Sequence, residues 1–261
     1  MARLTINGVK FYLTSRQFSK KTKLIRDVFD CKFDKICSVN IDLVKEEPES
    51  SIPNEMIYSN DLWFDMSAYG AAIDKQSTSD AFLYFNDTLF VKHCSGIVLE
   101  RIRDCADSVA SSPFPTAVGA INPSTDAIFH EGGYRSSKHL STFCFMLNNS
   151  ANRIFEDILL SLPDFEDSHD WLRSKYQEYP ALERVLYLNV FAPHNPWSWA
   201  GRSHNLRSDF LRRKAVSVSV EHILSAEIIK SGGVLLPTNY GYYYKFCRVT
   251  KTFITGLKLI K

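Results

Sequence analysis

A short apolar run that ends abruptly on a carboxamide and a carboxylate constrains this chain most. Residues 81–85 read AFLYF, which is too apolar and aromatic for a surface loop and has the length of a central strand. Asn86 and Asp87 follow directly. Open α/β sheets bind ligands outside the carboxyl ends of their strands, so this pair predicts a ligand site at a sheet edge. Asn-Asp is also a common turn signal, and that interpretation stays open.

An acidic residue in that position suits a nucleotide diphosphate. A hard cation that bridges phosphates prefers carboxylate oxygens, and enzymes that handle nucleotide diphosphates often place such a residue at a strand end. The rest of the chain excludes two other nucleotide sites, because it has neither a GxGxxG segment nor a Walker lysine motif.

The amino-terminal segment has a β-α-β pattern. Residues 9–13 and 36–43 predict strands, and residues 19–29 carry apolar side chains at helical spacing between them. This opening is typical of a nucleotide-binding α/β sheet, whose first loop faces the base and phosphates. Arg16 lies in that predicted loop, where it could donate to phosphate, although a solvent-facing arginine is an equal alternative.

Apolar spacing predicts further elements along the chain. The predicted helices are residues 60–74, 96–110, 151–162, 169–176, 180–190 and 213–230. The predicted later strands are residues 117–121 and 140–147. A polar, glycine-containing loop at residues 125–139 separates them, and long polar loops between buried strands usually carry sites or lids.

The residues around the central strand resemble those of a known group of enzymes. The matching positions are Asn60, Trp63 or Phe64, Asp65, Ala68, Tyr69, Asn86, Asp87 and Thr88. This series resembles the rhamnan-synthesis-F-like group of bacterial glycosyltransferases, which build surface polysaccharides on a GT-A type nucleotide-sugar fold. GAINPS at 119–124 and HLSTFCFML at 139–147 look like the group's later pair of strands. The resemblance covers roughly residues 10–200, and Leu62 stands where the group usually has glycine.

The resemblance implies roles for several of these side chains. Asp87 would contact a metal or the ribose, with Asn86 orienting it. Asp65 and Asn60 would hydrogen-bond the nucleotide or the donor sugar, and Tyr69 would pack beneath them. An N-cap role for Asn60 would use the same helix start and is compatible with this one. A divalent cation, Mg²⁺ or Mn²⁺, is the implied cofactor.

An inverting glycosyltransferase also needs a base for the acceptor hydroxyl, and that base must be a carboxylate or an imidazole. Glu131 lies in the polar loop beside two glycines, and His139 opens a predicted strand within the resembling part. Both are candidate catalytic residues, although a surface glutamate and a structural histidine are the simpler interpretations. Trp197 and Trp199 could stack on an acceptor sugar or close the core.

Charge is distributed unevenly along the chain. Residues 36–201 carry a net charge of −12, with eleven basic and 23 acidic side chains. An acidic middle would repel phosphate backbones, so no nucleic-acid partner is expected, and a nuclease or other nucleic-acid enzyme is a distant third alternative. Residues 202–261 carry +8, which predicts contact with an anionic membrane or a phosphate-bearing lipid, or else a solubilising face.

The whole chain therefore predicts one α/β protein of moderate size. Its 261 residues suffice for a GT-A-like domain with a mixed central sheet at 1–200 and a basic, helical and aromatic extension at 201–261. No apolar run is long enough for a membrane span or a signal peptide, and six scattered cysteines indicate reduced thiols, so a cytoplasmic or peripheral inner-membrane location is expected.

The function predicted is transfer of a sugar from a nucleotide-sugar donor to a surface polysaccharide, such as O-antigen or capsule, or to a lipid-linked glycan precursor. The alternative is a catalytically silent nucleotide-sugar-binding or scaffold subunit of a polysaccharide assembly complex. Asn86-Asp87 replaces the Asp-X-Asp of many GT-A enzymes, and this replacement keeps the alternative open.

Overall fold

The computed structural model describes residues 2–10, 15–30, 32–33, 35–43, 56–57, 62–73, 79–93, 95–123, 129–131, 134–136, 138–196, 198–202 and 207–239. The strands are β1 (Arg3–Lys10), β2 (Lys35–Leu43), β3 (Met56–Ile57), β4 (Ala81–Asn86), β5 (Thr116–Pro123), β6 (Phe129–Glu131), β7 (Tyr134–Ser136), β8 (Lys138–Asn148) and β9 (Val234–Pro237). The helices are α1 (Ser15–Phe29), α2 (Asp65–Ile73), α3 (Thr88–Lys92), α4 (Ser95–Ala110), α5 (Asn149–Leu160), α6 (Ser168–Glu178), α7 (Leu182–Leu186), α8 (Trp199–Arg202) and α9 (Ser208–Lys230), with a π-helical turn at Tyr187–Phe191.

The main sheet has the order β3-β2-β1-β4-β8-β5-β9. Among these strands, β8 runs antiparallel to both of its neighbours and the other pairs are parallel. The chain proceeds from β1 to β2 and β3 on one side and then returns to place β4 on the other side. The order therefore reverses between β1 and β4, and open α/β sheets bind ligands at such a switch point. The predicted α/β class with a mixed sheet is confirmed.

Both faces of the sheet are covered. On β4, Leu83 and Phe85 pack with α1 and α4, whereas Phe82 and Tyr84 pack with the layer that contains α2, α5 and α9. Every residue of β4 is buried, because helices cover both of its faces. This two-sided burial explains why the strand is continuously apolar rather than alternating.

The amino-terminal elements differ from the predicted boundaries. The first strand spans Arg3–Lys10, so the predicted strand at 9–13 starts six residues too late, and its residues 11–13 lie outside the described residues. The missed part includes Thr5, whose buried Oγ1 lies 2.8 Å from Ser79 Oγ. The following helix begins at Ser15, which places Arg16 in its first turn rather than in a loop.

The carboxyl-terminal segment contributes to the same sheet and core. Helix α9 packs against β7 and β8, and β9 pairs with β5 at the sheet edge, where Val234 N donates to Pro115 O over 2.9 Å. The alternating VSVSV stretch is helical, with Val216 and Val220 packed in the core and the buried Ser219 hydroxyl satisfied by donation to Ala215 O at 2.8 Å. The boundary predicted after residue 200 stays a prediction, since 240–261 lie outside the described residues.

The predicted polar loop at 125–139 holds a small second sheet. Strands β6 and β7 pair antiparallel there, with two glycines between them in the sequence. A Gly-Gly pair between short strands is a hairpin signal, so this segment is not a loop throughout. In the described part of the chain, no helix has the combination of length and apolar character that crossing a bilayer requires.

Candidate functional site

The strand-end pair lies at the switch point of the sheet. Asn86 is the last residue of β4, and Asp87 is the N-cap residue of α3. The main-chain oxygen of Asp87 accepts hydrogen bonds from Phe90 N at 3.0 Å and Val91 N at 3.2 Å, which fixes the turn from strand to helix. Its carboxylate makes no capping bond and is fully buried. The fold thus places a carboxylate where the parallel strands β1 and β4 diverge.

Asn86 ties this turn to the start of α2. Its Nδ2 donates to Asp65 Oδ2 over 3.0 Å, while its Oδ1 accepts from Thr88 N over 3.1 Å. The carboxamide is 6% exposed, so both bonds are made in a largely water-free setting. Because Asp65 is the first residue of α2, the positive end of the helix dipole also favours its carboxylate.

The residue before Asp65 has an unusual backbone. Phe64 has a φ of 56°, the only positive value among described residues other than glycine. A bulky side chain in the left-handed region costs of order 1–3 kcal/mol, and such conformations cluster at functional sites. Here the left-handed residue turns the chain into α2 and brings Asp65 beneath the sheet edge.

A threonine hydroxyl joins two carboxyl groups from different helices. Thr142 Oγ1 lies 2.7 Å from Glu221 Oε1 and 3.1 Å from Asp65 Oδ2, and Thr142 N also donates to Glu221 Oε1 over 3.1 Å. A hydroxyl has one hydrogen and cannot donate it fully to both oxygens. The shorter bond assigns that hydrogen to Glu221. A proton on the Asp65 carboxyl would satisfy the second contact.

The pKa of Asp65 is shifted in the direction that this geometry requires. Burial is the largest cause and raises the pKa above its ordinary value of 3.8. Lys214 opposes the increase, Glu221 adds to it, and the hydrogen bonds from Thr142 and Asn86 lower it. The net effect is a carboxyl group that holds its proton to higher pH than a free aspartate does.

Lys214 supplies a cation at the same edge. Its Nζ lies 5.0 Å from the ring centroid of Phe64 and 4.9 Å from that of Trp199. The neighbouring Arg213 donates from Nε to Leu62 O over 2.6 Å. Cations over aromatic faces are attracted by the ring quadrupole, so these contacts hold two positive charges next to the start of α2. Both side chains therefore point toward the sheet edge.

Two histidines complete the cluster. The rings of His139 on β8 and His222 on α9 have centroids 4.2 Å apart. Burial lowers the pKa of His139, and Glu221 partly opposes this. Burial also lowers the pKa of His222 well below 6.5, and a charge on His139 lowers it further. At neutral pH both rings are therefore uncharged, which is the form that can accept a proton.

The structure joins two of the predicted site residues, Asp65 and Asn86, by a hydrogen bond, and Asp87 follows Asn86 at the start of α3. His139 is linked to this group only through Glu221, which raises the pKa of His139 and accepts from Thr142. Tyr69 lies beneath them, fully buried, and its hydroxyl donates to Thr142 O over 3.1 Å.

The remaining predicted residues are placed less completely. Glu131 is the last residue of β6 and Arg16 lies in α1, while nothing further is described for either side chain. Asn60 and Trp197 lie outside the described residues.

Sequence reasoning missed Thr142, Glu221, Lys214 and His222. One signal was available for two of them. Glu221-His222 is a charged and polar pair inside a helical stretch, VSVSVEHILSA, whose other residues are aliphatic or serine. Charged side chains are almost never buried without a partner, so this interruption could have been read as a buried polar contact.

A divalent cation fits this site if one carboxylate and the phosphates of a substrate hold it together. Mg²⁺ at phosphate-binding sites is commonly held by one or two carboxylates together with substrate phosphates. Asp87 would be the carboxylate in that mode, since the oxygen of Asn86 already accepts from Thr88 N. Among the described residues, no group of three or more His, Cys, Asp or Glu side chains is placed to hold a metal ion by itself.

Comparison with known proteins does not assign the chain to a family. No protein-family model matches the sequence, and no curated protein matches it. We therefore base the proposed function on the geometry of the sheet edge and on the resemblance described above.

Proposed function

We propose that this protein is a nucleotide-sugar-dependent glycosyltransferase of GT-A type. The acceptor is a surface polysaccharide or a lipid-linked glycan precursor at the inner face of the membrane. The observation that carries the proposal is the position of Asp87, immediately after β4 at the switch point of a mixed sheet. That is where open α/β sheets receive nucleotides.

The neighbouring cluster supports chemistry rather than binding alone. The Thr142 hydroxyl links two titratable groups at the same edge, the buried Asp65 and the half-buried Glu221, and His139 lies within the electrostatic reach of Glu221. Networks that shift pKa values beside a ligand site are typical of active sites. The opposite face of β4, packed with α1 and α4, is formed by aliphatic and aromatic side chains.

In the proposed reaction, the bond between the donor's anomeric carbon and the diphosphate oxygen breaks as the acceptor hydroxyl oxygen attacks that carbon. A divalent cation held by Asp87 would neutralise the charge on the leaving diphosphate. His139 is uncharged at neutral pH and is suited to take the acceptor's proton. Glu221 favours the resulting imidazolium, since it raises the pKa of His139.

A ligand panel tests the proposal. Thermal unfolding is measured with UDP-, GDP-, dTDP- and CMP-linked sugars, with Mg²⁺ or Mn²⁺ and with a chelator. A ligand at 100 times its dissociation constant is expected to stabilise the fold by about 2.7 kcal/mol. Absence of a shift with every nucleotide would refute the proposal. A shift without any sugar release or transfer would favour the non-catalytic nucleotide-sugar-binding subunit instead.

A further inference from the structure

A cleft of about 710 Å³ opens between α6, α7 and the first turns of α9. Its volume lies within the range of roughly 300–1,000 Å³ that is usual for ligand pockets. Arg212 lines the cleft, and Lys214, two residues further along α9 and therefore on a nearly opposite face of the helix, lies at the sheet edge described above. The cleft and the candidate active site therefore share the amino-terminal half of α9.

Two arginines give the cleft a positive character. The guanidinium of Arg212 lies 4.2 Å from the ring centroid of Phe165, and its Nη2 lies 3.1 Å from Asp209 Oδ1. These two contacts hold the planar group in place while leaving further N–H donors for a ligand. Arg173 lines the cleft from α6, and Glu183 is the acidic side chain in the lining. Arginine in such a setting suits a carboxylate or a phosphate, which it binds with paired hydrogen bonds.

Aromatic side chains supply the second element of the site. Tyr176 and Phe191 are half-buried and line the cleft. Phe191 ends the π-helical turn, and single π-helical turns occur frequently at functional sites. Burial and the nearby Glu183 raise the pKa of Tyr176 to about 12, so its hydroxyl stays a hydrogen-bond donor. Apolar ring faces next to polar groups match the two-sided character of a sugar ring.

We propose that this cleft binds an anionic segment of the acceptor glycan, with Arg173 and Arg212 at its carboxylate or phosphate group and Tyr176 and Phe191 against its sugar rings. The assignment to the acceptor rests on the proposed function, because a sugar acceptor must enter beside the donor site. The chemistry of the cleft itself predicts the preference for acidic over neutral saccharides.

Calorimetric titration of the full chain tests the inference with three probes: tetragalacturonate, a terminally phosphorylated maltotetraose, and unmodified maltotetraose. At least one anionic probe is expected to bind about tenfold or more tightly than the neutral one, and the better anion identifies the charged group. Arg173→Gln and Arg212→Gln are each expected to weaken that binding by about tenfold. Both positions are at least partly exposed, so melting temperatures should change little.

Arg103→Gln is the matched control, because it removes the same charge from α4, whose apolar face packs on the other side of the sheet. It should leave binding unchanged. Equal binding of neutral and anionic probes, or equal weakening by Arg103→Gln, would overturn the inference. The nucleotide-sugar panel on the same variants separates the two proposals. Anionic binding without any nucleotide shift would retain the cleft and reject the proposed function, and the reverse result would reject the cleft alone.

Discussion

Two buried asparagines at opposite ends of the β4–β8 pair have different kinds of partner. Asn148, 3% exposed at the amino end of β4, accepts from two backbone N–H groups and donates to two carbonyls. Asn86, 6% exposed at the carboxyl end, donates to the carboxyl of Asp65 and accepts from one backbone N–H. Asn148 satisfies backbone groups at the amino end of β4, whereas Asn86 holds the titratable carboxyl group of Asp65 in position. Under the proposed function, buried polar groups at the amino end of β4 stabilise the fold, whereas those at the carboxyl end position side chains for the reaction.

The largest expected effect is a loss of sugar transfer on removing a carboxylate at the carboxyl end of β4, with no such loss at its amino end. Asp87→Asn should lower the rate of sugar transfer by about 10²–10³-fold, because the strand-end carboxylate organises charge at the leaving group. The measurement is kcat with the donor found in the ligand panel. Asp80→Asn is the matched control, since Asp80 precedes β4 at its amino end and accepts from Arg3 N over 2.8 Å.

The control variant should keep the transfer rate and lose only a little stability. If the two substitutions reduce transfer equally, the carboxyl edge has no special role. If Asp87→Asn folds and retains near-normal turnover, the assignment of this strand end is wrong.

The next effect concerns stability at the amino edge. Asn148→Ala removes the cap of α5 and leaves buried backbone groups without their partner, so the free energy of unfolding should fall by about 2–4 kcal/mol. Urea unfolding of wild type and variant gives this value from the shift in midpoint at constant slope. Asn86→Ala is the counterpart, with fewer backbone partners to lose. A larger loss of stability from Asn86→Ala than from Asn148→Ala would contradict the assignment of the structural role to Asn148.

The sequence predicted one edge of the site better than the rest of it. Asn86 and Asp87 could be found because they interrupt a continuous apolar strand, and Asp65 entered through a resemblance nearby in the sequence. Thr142 and Glu221 are 79 residues apart, and only the packing of α9 on β8 brings them together. The contact between Thr142 and Glu221 depends on where α9 lies over the sheet, and the local spacing of apolar residues does not predict that position.

The fold shows the same limit. The buried core strand β4 was predicted within one residue, since burial on both faces leaves a clear apolar signal. The prediction missed residues 3–8 of the first strand, where the polar Thr5 is buried with a side-chain hydrogen bond to Ser79, 74 residues away. A polar residue with a distant partner reads as a surface residue until that partner is known.

A smaller effect is expected on the pH dependence of stability. We expect that dependence to arise from His139 and His222. Burial lowers the pKa of His139 and of His222 below the ordinary value of 6.5, so the unfolded state binds protons more readily. Their contribution to stability is complete above about pH 6.5 and is lost as pH falls through the folded-state pKa values. Urea unfolding between pH 5 and pH 8 should show this decline.

His222→Gln should flatten the decline, because one of the two buried imidazoles no longer titrates. His169→Gln is the control, since this histidine is exposed on α6. An identical pH slope in wild type and His222→Gln would show that the pair is not the origin of the acid sensitivity.

The smallest effect has the opposite sign. Burial raises the pKa of Asp65 above 3.8, so its contribution to stability is complete below that pH and is lost as pH rises through the folded-state pKa. Asp65→Asn retains an oxygen that accepts from Asn86 Nδ2 but no longer ionises. The variant should therefore gain stability relative to wild type at neutral pH, and the gain should vanish near pH 4. Asp107→Asn, exposed on α4, supplies the control.

The stability of Asp65→Asn shows whether burial or the charge of Lys214 has the larger effect on the Asp65 carboxyl group. Lys214 lowers the pKa of Asp65, and the burial that raises it is the larger cause. If Asp65→Asn is less stable than wild type at neutral pH, the electrostatic attraction to Lys214 outweighs desolvation, and the carboxylate is held as an anion. If it is more stable, the fold tolerates a costly carboxyl group at this position. Burial of the Asp65 carboxyl group would then lower the stability of the fold near Asp87, and Asn148 has no such destabilising neighbour. A loss of stability confined to one edge is expected where residues serve a reaction rather than folding.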